Sequence, residues 1–122
     1  MEPTDAREQL RPRTKQFALR TIRVIDALPK TSPAQVIGKQ LLRSALSVGA
    51  NYRAACRARS RAEFVAKMGI VEEESDEARY WMEILTEAGL LKQEQLAPLM
   101  KEAGEIAAMV VASIKTARKQ SK

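Results

Sequence analysis

Histidine is absent from this sequence, and cysteine occurs once, as Cys56. Without histidine the chain has no side chain whose ordinary pKa lies near neutrality, and it lacks a common zinc ligand. A single cysteine also excludes a disulfide within the chain. We therefore expect no enzymatic activity, no catalytic residue, no bound metal and no cofactor.

Aromatic residues make up only 4% of the 122 residues, and long apolar runs are missing. The core must therefore come from Leu, Ile, Val, Ala and Met, which is typical of helix bundles. No segment has the length and hydrophobicity of a membrane span or a signal peptide. These features predict one cytoplasmic domain over residues 1–122, with loose tails at about 1–9 and 119–122.

Basic residues outnumber acidic ones by 21 to 15, which gives a net charge of +6. This excess permits attraction to nucleic acid or to an anionic membrane surface, but a charged, solvated surface would have the same composition. No Gly-rich phosphate-binding loop accompanies the charge.

Apolar residues at heptad spacing predict helix 1 from about residue 11 to residue 28, where Pro29 ends it. This seam consists of Leu10, Thr14, Phe17, Thr21, Val24 and Leu28. Pro12 would then lie in the first turn, where proline is tolerated. Helix 2 is predicted to have Ser32 as N-cap, Pro33 in the first helical position and Gln35 completing a capping box. Its apolar side consists of Ile37, Leu41, Val48, Tyr52 and Ala55.

Ser60 and Glu63 form a second capping-box pattern, so helix 3 is predicted to start after Ser60 and to end before Gly89. Its seam consists of Phe64, Met68, Val71, Ser75, Ala78, Met82 and Leu85. Helix 4 is predicted from near Glu94, with Pro98 in about its first turn. Its seam consists of Leu96, Leu99, Ala103, Ile106, Val110, Ile114 and Ala117. Four amphipathic helices with short connections predict an all-α, up-down-up-down four-helix bundle.

One side of helix 2 carries basic charge alone. Residues 31–62 contain six basic residues and no acidic one, whereas residues 63–90 contain eight acidic and two basic residues. The basic stripe, our candidate nucleic-acid-binding surface, consists of Lys39, Arg43, Arg53, Arg57 and Arg61. The alternatives are a solvated face or ion pairing with the acidic helix 3.

Apolar residues also occupy the outward sides of helices 2 and 3. The candidate oligomer interface consists of Leu46, Ile70, Glu73, Glu77, Tyr80 and Ile84. A monomer would leave these apolar residues in water, beside opposite charges without a close partner. We therefore expect helix 2 of one copy to dock near helix 3 of the next, and such a heterologous contact closes into a ring or propagates.

Ser44 and Asn51 lie at the margin of the apolar side of helix 2. Because Asn competes with the backbone for hydrogen bonds inside a helix, its side chain needs a specific partner. We predict a structural polar layer that joins Ser44 or Asn51 to a helix 3 carboxylate, Glu73 or Glu77, with Arg43 closing the network.

Two further features give only weak support for a reactive thiol or a metal site. Cys56 lies among arginines, which can lower a thiol pKa, but without a partner base we favour a small, partly buried side chain. The acidic run of residues 72–77 lacks the histidines that di-metal sites in helix bundles use.

The stretch of residues 41–85 resembles the small bacterial four helix bundle protein family, also called the 23S ribosomal RNA intervening-sequence (S23) family. The matching elements are residues 42–44 (LRS), 47–53 (SVGANYR), the join at 59–64, Glu73 with Glu77, Trp81 and the preceding Leu28-Pro29 turn. Many members have Glu where this chain has Ala54. The resemblance implies a left-handed up-down bundle that assembles as a ring-like homopentamer and has no known enzymatic activity.

Some members of that family are encoded within ribosomal RNA intervening sequences. A similar protein, the accessory variability determinant of diversity-generating retroelements, is a basic pentamer that binds nucleic acid and its reverse transcriptase. We therefore expect a non-enzymatic homo-oligomer that binds RNA or DNA, or that assists a nucleic-acid enzyme such as a reverse transcriptase. The alternative is an oligomeric scaffold without a nucleic-acid role. We expect no membrane partner.

Overall fold

Short connections make successive helices run in opposite directions. The computed structural model describes the backbone of residues 2–120 and the side chains of residues 9–120. The helices are α1 (Glu2–Asp26), α2 (Ser32–Cys56), α3 (Arg61–Glu87) and α4 (Gln93–Gln120). Each helix packs against the next and α4 closes against α1, whereas the diagonal pairs stay apart throughout this described part. The predicted all-α four-helix bundle is confirmed.

The predicted seams form the core. Every residue of the α4 seam is buried, and so is every residue of the α3 seam except Phe64, which is half-buried. Although aromatic residues are few, Tyr52 and Phe17 are the largest fully buried side chains. The core therefore follows the heptad spacing of the sequence, because side chains three and four residues apart share one face of a helix.

Buried hydroxyl groups on three helices each donate to a carbonyl of their own helix. Thr14 and Thr21 each donate to the carbonyl four residues earlier at 2.8 Å, Ser75 does so at 2.8 Å, and Ser44 at 3.1 Å. These bonds satisfy the buried hydroxyl groups within their own helices, so the seams between the helices can be packed mainly by apolar side chains.

Helix α1 begins earlier than predicted, at Glu2 instead of about residue 11, and ends at Asp26 instead of Leu28. The segment before residue 11 is rich in Glu, Arg, Gln and Ala, which are good helix formers. Pro12 therefore lies inside the helix and not in its first turn. At the other end, the amides of Ala27 and Leu28 bond to carbonyls three residues earlier at 3.0 Å, which tightens the last turn before Pro29.

The N-cap of α2 is Thr31 and not the predicted Ser32. Thr31 has an extended backbone, and its hydroxyl accepts from the Ala34 amide at 3.4 Å. Because this cap starts the helix one residue earlier, Gln35 lies beyond the capping-box position, and its amide bonds to the Thr31 carbonyl at 3.0 Å.

The join between α2 and α3 follows the sequence signal closely. The Ser60 hydroxyl accepts from the Glu63 amide at 3.0 Å, as predicted. The Glu63 carboxylate reaches one residue further back than in a standard capping box and accepts from the Arg59 amide at 2.8 Å. Because α2 ends at Cys56, the basic stripe is not carried by a single helix: Arg57 is the C-cap of α2, and Arg61 is the first residue of α3.

Helix α3 ends as the predicted glycine requires. Gly89 has a φ of 73°, and its amide bonds to the Thr86 carbonyl while the Leu90 amide bonds to the Leu85 carbonyl, both at 3.0 Å. This pattern is a Schellman motif. Helix α4 then starts at Gln93, one residue before the predicted position, so that Pro98 lies inside the helix.

Candidate functional site

A polar cluster links the outer sides of α2 and α3. Arg43 donates to Glu77 at 2.6 Å and to both carboxylate oxygens of Glu74 at 3.3 Å. The Trp81 indole donates to the same Glu77 oxygen at 3.1 Å. The hydrogen bonds from Arg43 and then Trp81 hold the pKa of Glu77 below its usual range. The pKa of Arg43 is raised in turn, first by Glu77 and then by Glu74.

Of the alternatives predicted for the polar layer, this cluster contains Ser44 and Glu77, joined through Arg43, and neither Asn51 nor Glu73. Arg43 also donates to the Ser44 hydroxyl at 3.3 Å, so Ser44 joins Glu77 through Arg43. Asn51 takes no part, because its amide donates to the Ser47 carbonyl one turn earlier at 2.9 Å. The second carboxylate is Glu74, which lies nearer α2, whereas Glu73 is exposed.

A second ion cluster, which the sequence did not predict, joins α1 to α4. Arg13 forms a two-point contact with Glu102, at 2.9 Å and 2.6 Å, and also donates to Glu105 at 2.8 Å. Its remaining nitrogen contacts the Met109 sulfur at 3.3 Å. The pKa of Arg13 is raised, chiefly by the hydrogen bond to Glu102. The sequence feature that could have indicated this cluster is the spacing of Glu102 and Glu105, which are three residues apart and therefore share one helix face.

The five residues of the basic stripe lie in three different settings. Arg43 is engaged by Glu74 and Glu77. Lys39 is exposed in the half of α2 nearer its start, whereas Arg53, Arg57 and Arg61 are exposed where α2 passes into α3. The stripe is therefore not one continuous surface.

The fold adds further basic residues beside that join. Because α4 runs antiparallel to α3, its last turns lie next to the first turn of α3, and the Arg61 guanidinium donates to the Gln120 carbonyl. We name the region formed by residues 53–67 and 113–120 the basic end. Its basic residues are Arg53, Arg57, Arg59, Arg61, Lys67, Lys115, Arg118 and Lys119, and its one acidic residue is Glu63.

The predicted interface residues remain partly in water in the single chain. Leu46, Ile70 and Tyr80 are 46%, 36% and 52% exposed, whereas Ile84 is half-buried. The Tyr80 ring stands edge-on to Trp81, with centroids 5.1 Å apart. The expectation that charges here lack a close partner is wrong for Glu77, which Arg43 engages within the same chain.

Cys56, the last residue of α2, is half-buried and packs against the core. Among the residues that the structure describes, no group of His, Cys, Asp or Glu side chains is placed to hold a metal ion. Within the same residues, no helix combines the length and the hydrophobicity needed to cross a membrane.

The architecture defines an all-α, antiparallel four-helix-bundle protein with a strongly basic end. The profile of the 23S rRNA-intervening sequence proteins matches residues 9–112. The chain belongs to this family. It is also similar to a crystal structure of a protein of unknown function from the S23 ribosomal protein family of Bacteroides thetaiotaomicron VPI-5482. The TM-score is 0.81 at 33% sequence identity, and the match covers 87% of this chain and 98% of that chain.

No curated protein matches the chain. Neither the family profile nor the solved structure supports the expected likeness to the retroelement accessory protein.

Proposed function

We propose that this protein is a non-enzymatic, basic homo-oligomer that binds nucleic acid, either alone or as an accessory to a nucleic-acid enzyme. The observation that carries the proposal is a set of exposed guanidinium groups that no carboxylate engages. Within the described residues, Arg53, Arg57 and Arg59 form no ion pair, whereas Arg13 and Arg43 each bind two carboxylates. Exposed guanidinium groups are suited to phosphate oxygens, which they can contact by two parallel hydrogen bonds.

Counterion release supplies the test. Binding of the wild-type protein to mixed-sequence RNA and DNA duplexes should weaken steeply as salt increases, because each phosphate contact releases condensed cations. Fluorescence anisotropy across a salt series measures the slope of log K against log salt concentration. Absence of binding in 50 mM salt, at micromolar protein, would refute direct recognition of nucleic acid.

The second candidate is an oligomeric scaffold without a nucleic-acid role, and the observation that favours it is the engagement of Arg43, one residue of the basic stripe, by Glu74 and Glu77. Both candidates include self-association, so the oligomeric state does not separate them. The salt-dependent binding experiment does. An accessory role would add a protein partner, such as a reverse transcriptase, which co-purification from the native host would reveal.

A further inference from the structure

The charge of the protein is concentrated at one end of the bundle. Residues 53–67 hold five basic residues against Glu63, and residues 113–120 hold three basic residues and no acidic one. The basic end therefore carries +7, whereas the whole chain carries +6. The remainder of the sequence is close to neutral, although it contains more than half of all basic residues.

Tertiary structure creates this concentration, because the two segments are about fifty residues apart in sequence and meet where α4 ends beside α3. The packing of α4 against α3 brings them together, and the Arg61 guanidinium donates to the Gln120 carbonyl at this contact. Arg57, Arg59, Arg118 and Lys119 are all exposed around this contact. A concentrated positive surface of this kind raises the local concentration of a polyanion more than the same charges spread over the molecule.

The basic end has no exposed aromatic side chain, because its one aromatic residue, Phe64, is half-buried and packs against the core. Among the aromatic residues of the described side chains, Tyr80 is the exposed one, and it lies 19 positions along α3 from Arg61, about 28 Å at the rise of an α-helix. Glu73, Asp76 and Glu83 are exposed on the same helix around it. Proteins that bind single strands combine a basic groove with aromatic stacking platforms. The basic end has the charge without the platforms.

We infer that the basic end is the nucleic-acid contact, and that it binds the phosphate backbone of a duplex without reading its sequence. This inference rests on the proposed function and adds the location and the kind of nucleic acid. A duplex presents charge more densely than a single strand, and it releases more cations for each phosphate contact. A site that depends on phosphate charge alone therefore prefers a duplex.

The experiment compares two variants that remove the same charge from different places. The test variant carries Arg57→Gln, Arg59→Gln, Arg118→Gln and Lys119→Gln. Arg61 is kept because it binds the α4 carbonyl. The matched control carries Arg23→Gln, Lys30→Gln, Lys92→Gln and Lys101→Gln, all at exposed positions outside the basic end. Circular dichroism melting checks that both variants fold. If the complete test variant does not fold, it is replaced by two smaller variants, one with the changes at positions 57 and 59 and the other with those at 118 and 119.

For the wild type we expect equal affinity for duplexes of unrelated sequence, and weaker binding to a single strand of the same length. The test variant should bind duplex about tenfold more weakly or worse, and its salt slope should fall by about one for each phosphate that the protein no longer neutralises. The control should keep the wild-type slope. A third variant with Arg→Lys at positions 57, 59 and 118 should retain most of the binding, because charge is conserved.

Each other result has a distinct meaning. If the wild type does not bind duplex at all, the proposed function fails, and the inference fails with it. If the wild type binds and both charge-removal variants weaken equally, the contact is spread over the surface, and only the inference is overturned. The inference alone is also overturned if duplexes of different sequence bind with clearly different affinity. Binding to anionic phospholipid vesicles in place of duplex would identify the basic end as a lipid contact and would overturn both.

Discussion

Glu77 is the carboxylate on which the polar cluster between α2 and α3 converges. It accepts from Arg43 and Trp81, and the first of these bonds is the main cause of its lowered pKa. A carboxyl group whose folded-state pKa lies below its unfolded value stabilises the fold above the unfolded pKa. That stabilisation is lost as the pH falls through the folded-state pKa.

We predict that Glu77→Gln lowers the free energy of unfolding at pH 7, and that its difference from the wild type shrinks as the pH falls below about 4.3, the ordinary pKa of glutamate. Glutamine keeps an oxygen that can accept from Trp81, so the change isolates the charge. The effect should be small, because the Glu77 side chain is 36% exposed and solvent screens the pair. Urea denaturation across a pH series measures it, and the exposed Glu73→Gln serves as control. A difference that does not change with pH would show that Glu77 acts through shape alone.

Replacement by alanine should change the stability of the protein in opposite directions at Gly69, within α3, and at Gly89, just after α3. Around Gly69, in the middle of α3, a Cβ would meet nothing within 4 Å, so Gly69→Ala should stabilise the protein by about 0.5–1 kcal/mol through helix propensity. Gly89 has a positive φ that side chains disfavour, so Gly89→Ala should destabilise by about 1 kcal/mol. Thermal melting of the two variants checks both signs. Destabilisation by Gly69→Ala would point to a neighbour outside this chain, such as a second copy.

At the scale of helices, the contact between α1 and α4 is unlike the other three. Consecutive helices are held next to each other by their short connections, whereas α1 and α4 lie at opposite ends of the chain. Their contact depends on the seam and on the cluster of Arg13 with Glu102 and Glu105. Glu102 is only 16% exposed, so loss of Arg13 would leave a largely desolvated carboxylate without its cation.

We predict that Arg13→Ala costs roughly 1–3 kcal/mol of stability, the range for leaving one partner of a hydrogen bond unpaired. The lower part of that range is expected, because the pair is partly buried and the Arg13 side chain is 30% exposed. Arg13→Lys should recover only part of this loss, since an ammonium cannot make the two-point contact with Glu102. Compared with the wild type, the Arg13→Ala variant should show a larger increase in amide hydrogen exchange in α1 than in α2 and α3. Arg23→Ala, an exposed change on the same helix, is the control. Equal loss of protection in all four helices would mean that the bundle opens only as a unit.

At the scale of the whole molecule, the outer surface of α2 and α3 leaves apolar side chains in water. Of the charges beside them, Glu77 is engaged by Arg43 within one chain, and exposed ion pairs contribute little, so apolar burial must supply most of the energy of any self-association. Ile84 is half-buried in its own bundle, which makes Ile70 the better place to test an interface.

We predict that Ile70→Glu lowers the molar mass measured by light scattering and leaves the helical content unchanged. Ile22→Glu on α1 is a matched control, because Ile22 has 39% exposure against 36% for Ile70. The control should keep the wild-type mass. A wild-type protein that is monomeric at micromolar concentration would refute self-association through this surface.

The sequence by itself determined the four helices, most of their core-facing residues and both ends of α3. These features are local: a heptad seam needs only the period of one helix, and Ser60 or Gly89 acts on amides and carbonyls within a few residues. The errors were equally local. Thr31 and Ser32 are both competent caps, and the helix-forming residues before Leu10 extend α1 past the predicted start.

Tertiary structure alone decided which charges meet. Glu73 and Glu74 are neighbours in sequence, but they differ by about 100° around α3, so the rotation of that helix relative to α2 determined that Arg43 binds Glu74. The approach of α4 to the start of α3 likewise placed Arg118 and Lys119 beside Arg57 and Arg59. The periodic pattern of residues within a single helix does not determine these contacts, because they depend on how two helices are rotated and offset against each other.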